Sequence, residues 1–419
     1  MIALSKILTV LSSKDVKKLI ENFFSLSILK FVNLILPFVT LPYLIKVLGF
    51  QHYGAIILGL SLINYFQSIT DYGFNLSATR EIAKHRHSKK QLNFIYSKTL
   101  LSKFFLLIFS LLLIFPIILF VPQFHEDILV YLLMCLILIG QTFFPEWFFR
   151  GMEQMRYITI LDLIIKLTFT IGTFLFIKEK SDYWIYPLLL GGGYIVVAIQ
   201  SHFLIYKKFQ ISFNLPKLRN IKKTLKEGFP LFVNQFTPTL FNNTTNFMVG
   251  MVIGKSAAGV FGSIRQIIQL LTVFNSVVST VFFPYLIRYK EKFYVYSKLY
   301  IIFFIILSFF IALFHHWILE WIGIHAKNAS EVFYILLLGV MSIVLYSIYS
   351  TNYLISRGHD KLVMKFTVLV SLIGFILSYP LVKFLGLVGA AFNIFICQFL
   401  LGGLAYFNFR KLERKKYDF

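Results

Sequence analysis

Charge is scarce in this sequence. Asp, Glu, Lys and Arg make up 14% of its 419 residues, where an ordinary soluble domain carries about 25%. Acidic residues are the scarcest, 18 against 41 Lys and Arg. The two cysteines, Cys135 and Cys397, are too few and too far apart for a disulfide framework or a thiolate metal site. No G-x-S-x-G, H-E-x-x-H or CxxC occurs, so those routes to acyl transfer, zinc hydrolysis or thiol redox chemistry have no footing. Gly254-Lys255-Ser256 looks like a phosphate loop, but three residues rather than four separate it from Gly250. His315-His316 lacks the carboxylates of a metal site. The chain is expected to use neither metal nor cofactor.

What is present is apolar. Hydrophobic residues reach 58% and the mean hydropathy is +0.76. A membrane-spanning helix needs about 20 consecutive apolar residues. Twelve runs meet that need, near 23–47, 55–77, 101–121, 128–149, 157–177, 183–206, 229–253, 259–287, 299–319, 332–356, 366–385 and 387–409. They are long and continuous, whereas the strands of a membrane barrel alternate over about ten residues. The expected fold is therefore an all-α integral membrane protein of about 12 transmembrane helices. The longest connections are short, 320–331 on one side and 207–228 on the other. That leaves no room for a soluble catalytic lobe, and an enzyme is not expected. The first apolar run is too long for a cleavable signal, and no A-x-A site follows it.

The net charge of +23 could suggest nucleic acid, but its distribution points to lipid. With an even number of spans, 32 of the 41 Lys and Arg fall in the segments on the side of the termini, and six on the opposite side. The other three, Lys30, Lys166 and Arg265, lie within spans. Such asymmetry in short loops orients a membrane protein with its basic side in the cytoplasm, so both termini are expected there. The basic clusters then face anionic headgroups, and nucleic acid is set aside as a partner.

The sequence also repeats. "LGFQHYGAI" (48–56) aligns with "IGKSAAGVF" (253–261), matching Gly49 with Gly254 and Gly54 with Gly259. Arg150-Gly151-x-Glu153 aligns with Arg357-Gly358-x-Asp360 at nearly the same offset. Two six-span halves facing the same way fit this, a parallel repeat of the kind found in transporters. The division is an N-terminal lobe at 1–206, a cytoplasmic linker at 207–228 and a C-terminal lobe at 229–419. Within "FPEWFFRGMEQMRYIT" (144–159), Trp147, Phe148 and Phe149 are expected to anchor the fourth span at the headgroups. Gly151 is expected to allow the reversal after it. Glu146 sits just inside the span, with Arg150 four residues on as its natural partner.

"LPYLIKVLGFQHYG" (41–54), "DYGFNLSATREIAKHR" (71–86) and "PEWFFRGMEQMRYIT" (145–159) resemble the Wzx-type polysaccharide flippases. These belong to the multidrug/oligosaccharidyl-lipid/polysaccharide exporter superfamily. "GFPLFVNQ" (228–235) and "GKSAAGVFGS" (254–263) extend the likeness into the second half. The resemblance implies a bacterial inner-membrane protein that moves an undecaprenyl-diphosphate-linked O-antigen or similar repeat unit outward. It implies two six-helix lobes around a central cavity and alternating access. It also implies a polysaccharide polymerase and a chain-length regulator as partners, beside the lipid-linked oligosaccharide and membrane lipids.

A diphosphate-linked glycan calls for a few buried cations and a polar lining. An ionisable group at the middle of a span costs about 2.5–3.5 kcal/mol on insertion scales, so each is a functional candidate. Similar flippases of lipid-linked precursors use basic residues on the first and eighth helices, which implies Lys30 and Arg265 as diphosphate contacts. They also carry a basic residue in the second span, which here has none before Arg80. Lys30 could instead snorkel to the headgroups, and Arg265 could pair with a carboxylate. Gln235, Thr239, Asn242 and Asn246 fall at spacings of 4, 3 and 4, one helical stripe. Neutral amides both donate to and accept from sugar hydroxyls, although such residues also glue helices together. Asp162 and Lys166, four apart, either neutralise each other or couple transport. Asp71 either caps a helix end or takes an ion or proton. A cation or drug exporter of the same superfamily is the alternative, and it would favour buried carboxylates over buried cations.

Orientation is directly testable. With the native cysteines replaced, Lys90→Cys and Lys222→Cys should react with impermeant maleimide only from the cytoplasmic side. Labelling of either from outside would reverse the topology.

Overall fold

The computed structural model describes residues 14–417, with side chains over 32–414 apart from residues 33, 34, 37, 234, 284, 285 and 288. No strand occurs among the described residues. In lipid every backbone N–H and C=O must be satisfied within the protein, and a helix does this residue by residue. α1 (Lys14–Asp71) is followed by α2 (Phe74–Lys84), α3 (Lys89–Phe120), α4 (Ile128–Phe143) and the single-turn α5 (Glu146–Gly151). α6 (Met155–Phe176), α7 (Ile185–Phe209) and α8 (Leu218–Met248) come next, and α8 runs on as a π turn, Val249–Ile253. The chain continues through α9 (Lys255–Arg288), α10 (Phe293–Leu313), the short α11 (His315–Ile322) and α12 (Ala329–Tyr346). A π segment (Ser347–Leu354) extends α12, and α13 (Asp360–Tyr417) ends the chain.

α1 and α13 are each 58 residues long. A straight helix of that length would run about 87 Å, nearly three times the hydrocarbon thickness. Each is broken by a glycine with positive φ, Gly49 (φ 70°, ψ 169°) and Gly386 (φ 60°, ψ −137°), a conformation in which a side chain would be strained. Nine helices among the described residues are long and apolar enough to cross a membrane. Two of them, Phe38–Lys84 and Asp360–Arg414, contain these glycine breaks. α8 is not one of the nine, because its apolar stretch is interrupted by amides and hydroxyls. Dividing the two broken elements and adding α8 is consistent with the twelve apolar runs. The ninth run ends earlier than its hydropathy suggests: the chain breaks at Phe314, and α11 takes up 315–322.

Packing groups the described chain into two compact units. One holds the residues up to Leu36, Phe66–Phe176 and Trp184–Val233; the other holds Pro37–Tyr65, Ile177–Tyr183 and Asn234 onward. These packing units are drawn differently from the sequence halves divided at 207–228.

In the first unit the core corrects one expectation. Trp147, Phe148 and Phe149 are not headgroup anchors; they are 1%, 0% and 0% exposed, in a cluster with Phe74, Ile82 and Tyr96. Phe209 meets Phe148 edge-on at 5.4 Å, and Tyr157 lies 5.6 Å from Phe149. Gly151 makes this possible by close approach rather than by turning the chain. A Cβ there would sit 2.5 Å from the Ile82 side chain, so only glycine lets α5 lie on α2. The reversal falls two residues later, at Glu153 (φ 56°). The second unit has a similar nest at the matching point of the repeat. Tyr353 packs on Phe409 at 4.6 Å and Phe293 at 4.9 Å, with the Arg357 guanidinium 3.7 Å from the Tyr353 ring centre.

The other repeated motif closes on itself within the second unit. A Cβ on Gly54 would lie 1.7 Å from the Lys255 carbonyl oxygen, and one on Gly259 would lie 2.3 Å from that of Phe50. The two glycine segments therefore cross reciprocally, backbone against backbone. Gly54→Leu should force them apart and lower the thermal stability of the purified protein by at least the roughly 1–3 kcal/mol of an overpacked core. Gly403, whose Cβ would meet nothing within 4 Å, provides the control as Gly403→Ala. Equal melting of the two variants would refute the crossing.

Candidate functional site

The second unit contains a cavity of about 450 Å³, within the range typical of small-ligand sites. α8 supplies Asn242, Asn243 and Asn246 to its wall, successive turns of one polar face. α9 supplies Arg265, Gln269 and Thr272, spaced four and three apart on one side of that helix. Asn64 of α1 and Gln398 of α13 add two further amides, and Leu336, Ile343 and Ile394 give apolar wall. The neighbouring hydroxyls of α8 point elsewhere. Thr244 is hydrogen-bonded by Tyr65, and Thr245 accepts from Asn393 Nδ2 at 2.9 Å.

Arg265 is the only ionisable side chain among the described residues lining this cavity. Its guanidinium donates to the backbone carbonyl of Asn242 and, through Nη2, to Asn242 Oδ1 at 3.3 Å. Asn242 Nδ2 is meanwhile held by the Pro238 carbonyl one turn back, 3.2 Å away. The amide is therefore oriented with its oxygen toward the cation. These partners are neutral oxygens, not the carboxylate that a structural ion pair would need. Neutral dipoles orient a guanidinium without cancelling its charge, so an anion entering the cavity would meet a net positive group.

The candidates drawn from the sequence separate into four groups. Arg265, Asn242 and Asn246 meet at the cavity. Gln235 and Thr239, earlier on the same stripe, are not part of its described lining, and Gln235 is exposed. The side chain of Lys30 lies outside the described residues, as does any contact it makes. The remaining candidates belong to the first unit and form pairs. Arg150 Nε donates to Glu146 Oε1 at 3.1 Å, and Lys166 Nζ lies 2.6 Å from Asp162 Oδ2.

Asp71 departs from the cap reading. No side chain caps α2, whose N-cap is Gly73. Asp71 instead accepts from Lys103 Nζ at 3.2 Å, where Lys103 is 3% and Asp71 27% exposed. Counting by loops places Lys103 among the cytoplasmic basic residues, yet it lies well inside α3 and is buried. The signal was available in the sequence: a lysine inside an apolar run needs an anion, and Asp71 stands at the end of the preceding run. Gln269 and Thr272 were also findable, as the continuation of Arg265 along its helix. Asn64 and Gln398 are single polar residues in apolar helices and carry no periodic signal.

Comparison with known proteins adds the family. The profile of the family described as "Polysaccharide biosynthesis protein" matches residues 19–290. The chain belongs to that family. A protein of Escherichia coli (strain K12), provisionally named an O-antigen transporter, is 25% identical over 264 residues, 63% of this chain. The match spans 64% of that relative's length, just under two thirds. A Shigella dysenteriae protein with the same provisional name is 24% identical over 387 residues, covering 91% of this chain and 97% of its own. Among solved structures, the lipid II flippase MurJ in an inward closed conformation superposes with a TM-score of 0.72 at 16% identity. It covers 93% of this chain and 87% of MurJ. An inward-facing multidrug resistance MATE family transporter of the MOP superfamily gives 0.68 at 16% identity, covering 91% and 97%. These structures establish that the chain has the helical membrane-transporter fold. The segment matched by the polysaccharide biosynthesis family includes Asn64, Asn242, Asn246 and Arg265, while Gln398 lies beyond it.

The Asp71–Lys103 pair gives a test independent of transport. Removing one partner strands the other in an apolar setting, at a cost of about 3 kcal/mol, the low end for buried pairs because Asp71 keeps some exposure. Lys103→Met should therefore melt well below wild type, and the double variant Asp71→Asn/Lys103→Met should recover most of the loss. Additive losses in the double variant would show that the two side chains do not interact.

Proposed function

We propose that this protein moves an undecaprenyl-diphosphate-linked O-antigen or related polysaccharide repeat unit from the cytoplasmic to the outer leaflet of the bacterial inner membrane, leaving it chemically unchanged. The observation that carries the proposal is Arg265, a cation bonded to neutral oxygens and to no carboxylate among the described residues, in a cavity otherwise walled by amides, a hydroxyl and apolar residues. The head of such a substrate has the same two parts, an anionic phosphate group and a hydroxyl-rich glycan. Arg suits phosphate because its planar fork can donate two parallel hydrogen bonds. Family membership and the names of the Escherichia coli and Shigella dysenteriae relatives support the same substrate class.

On this reading Asn242 and Asn246 face the glycan beside Arg265, and Lys30 is a second phosphate contact. Gln235 and Thr239 then belong to the path into the cavity rather than to its wall. The halves 1–206 and 229–419 act as the two lobes of an alternating-access cycle around the linker 207–228. Both termini are cytoplasmic. A polymerase and a chain-length regulator working on the outer face are the partners this role calls for.

The second reading, a drug or cation exporter, is favoured by the fold shared with the MATE transporter. The cavity argues against it, since a cationic drug entering here would face Arg265 with no carboxylate in the described lining to neutralise it.

A deletion strain decides between them. It should lose surface polysaccharide and accumulate the diphosphate-linked repeat unit on the cytoplasmic leaflet, and Arg265→Ala should fail to restore export although it inserts normally. Intact surface polysaccharide in a strain without a redundant transporter, together with new sensitivity to cationic compounds, would favour the exporter.

A further inference from the structure

We infer that the cavity around Arg265 selects glycans whose sugars in this pocket are uncharged, and disfavours repeat units that place a carboxylate there. The inference rests on the transport reading above and concerns which substrate that site accepts. Its basis is the inventory of the wall. Among the described residues it holds one cation, no anion and no second cation. The rest of its polarity comes from amides and a hydroxyl on four helices: Asn64, the asparagines of α8, Gln269 and Thr272 of α9, and Gln398.

The positive charge is already assigned, because the phosphate group that joins lipid to glycan is the anion nearest the first sugar. A uronic acid in the same pocket would bring a further negative charge, with Arg265 and, on the transport reading, Lys30 both engaged by the phosphates and no other cation among the described wall residues to pair it. Amides can donate to a carboxylate, but taking an ion out of water without a counter-charge is costly even when it is hydrogen-bonded. A hydroxyl or acetamido group has no such cost, and each amide can both donate to it and accept from it.

The acceptors on the wall point the same way. Asn246 Oδ1 and Gln398 Oε1 are buried and receive no hydrogen bond from the described protein. A sugar hydroxyl or an acetamido N–H can supply a donor to such an oxygen when the side chain turns toward it. A carboxylate only accepts, so where it replaces a hydroxyl it offers these oxygens no donor and adds repulsion between like partial charges. Sites built from neutral hydrogen-bonding groups discriminate by what they leave unpaired, and that discrimination can reach several orders of magnitude.

The experiment uses the full-length protein in proteoliposomes with two undecaprenyl-diphosphate-linked probes. Their glycans are identical except that one sugar is glucose in the first and glucuronic acid in the second. The neutral probe should cross at least about tenfold faster than the acidic one. Gln398→Lys and, as an independent variant, Gln269→Lys place a second cation on the wall, and each should raise the acidic-to-neutral rate ratio severalfold. Equal wild-type rates would overturn the inference while leaving the transport reading standing. A ratio unchanged in a lysine variant that still moves the neutral probe would also overturn it. If the wild-type protein moves neither probe, the transport reading fails and this inference fails with it.

Discussion

The guanidinium of Arg265, held by the carbonyl and side-chain oxygens of Asn242, is the interaction on which the functional architecture turns. A charge in a low-dielectric interior is expensive unless something compensates it. Pairing it with a carboxylate would satisfy it and leave little attraction for a ligand. Solvating it with fixed neutral dipoles keeps the side chain in place and its charge available. The same logic explains why α8 is too polar to pass as an ordinary membrane span. Its asparagines are costly in lipid and are tolerated where they line a cavity, as Asn242, Asn243 and Asn246 do. Thr244 and Thr245 of the same helix are buried and bonded to other helices, Thr244 by Tyr65 and Thr245 by Asn393.

The scaffold around this interaction depends on close backbone approach. Hydrophobic burial does not drive helices together in lipid, so packing of small residues has to. Gly54 against Lys255 and Gly259 against Phe50 bring the beginnings of two helices into direct contact within the unit that carries the cavity. Gly151 does the same for α5 on α2. The aromatic nests at Trp147–Phe149 and at Tyr353 then fill the space behind each Arg-Gly turn. One repeated sequence motif therefore accompanies similar local packing in each unit. The turns themselves differ, since Gly358 takes the positive φ (83°) in one and Glu153 takes it in the other.

Much of this was legible in the sequence. Long apolar runs can only be membrane helices, and Gly386 separates the last two where the hydropathy is nearly continuous. The alignment read as a repeat includes Gly54 and Gly259, which the fold brings together in space. Arg265, Asn242 and Asn246 were identifiable because a charge and amides in an apolar helix are costly and need a reason. Other features were hidden for equally physical causes. Aromatic residues near a span end look the same whether they face headgroups or a protein core, so the burial of Trp147, Phe148 and Phe149 could not be read. Lys103 sits beside loop charges that mask it, so the sequence shows that it needs an anion but not that Asp71 meets it across the packing. Asn64 and Gln398 acquire meaning from the helices opposite them, which one strand of sequence does not show.

The central claim is that Arg265 binds the anionic head of a lipid-linked glycan. The most direct measurement is the affinity of the purified protein for an undecaprenyl-diphosphate-linked saccharide, set beside a matched lipid glycoside without phosphate and repeated with Arg265→Gln. The account predicts that wild type prefers the diphosphate form by at least about tenfold, as expected for charge-assisted hydrogen bonds of roughly 1.5–3 kcal/mol. It also predicts that Arg265→Gln removes most of that preference. A preference of the same size in the variant, or none in wild type, would contradict it.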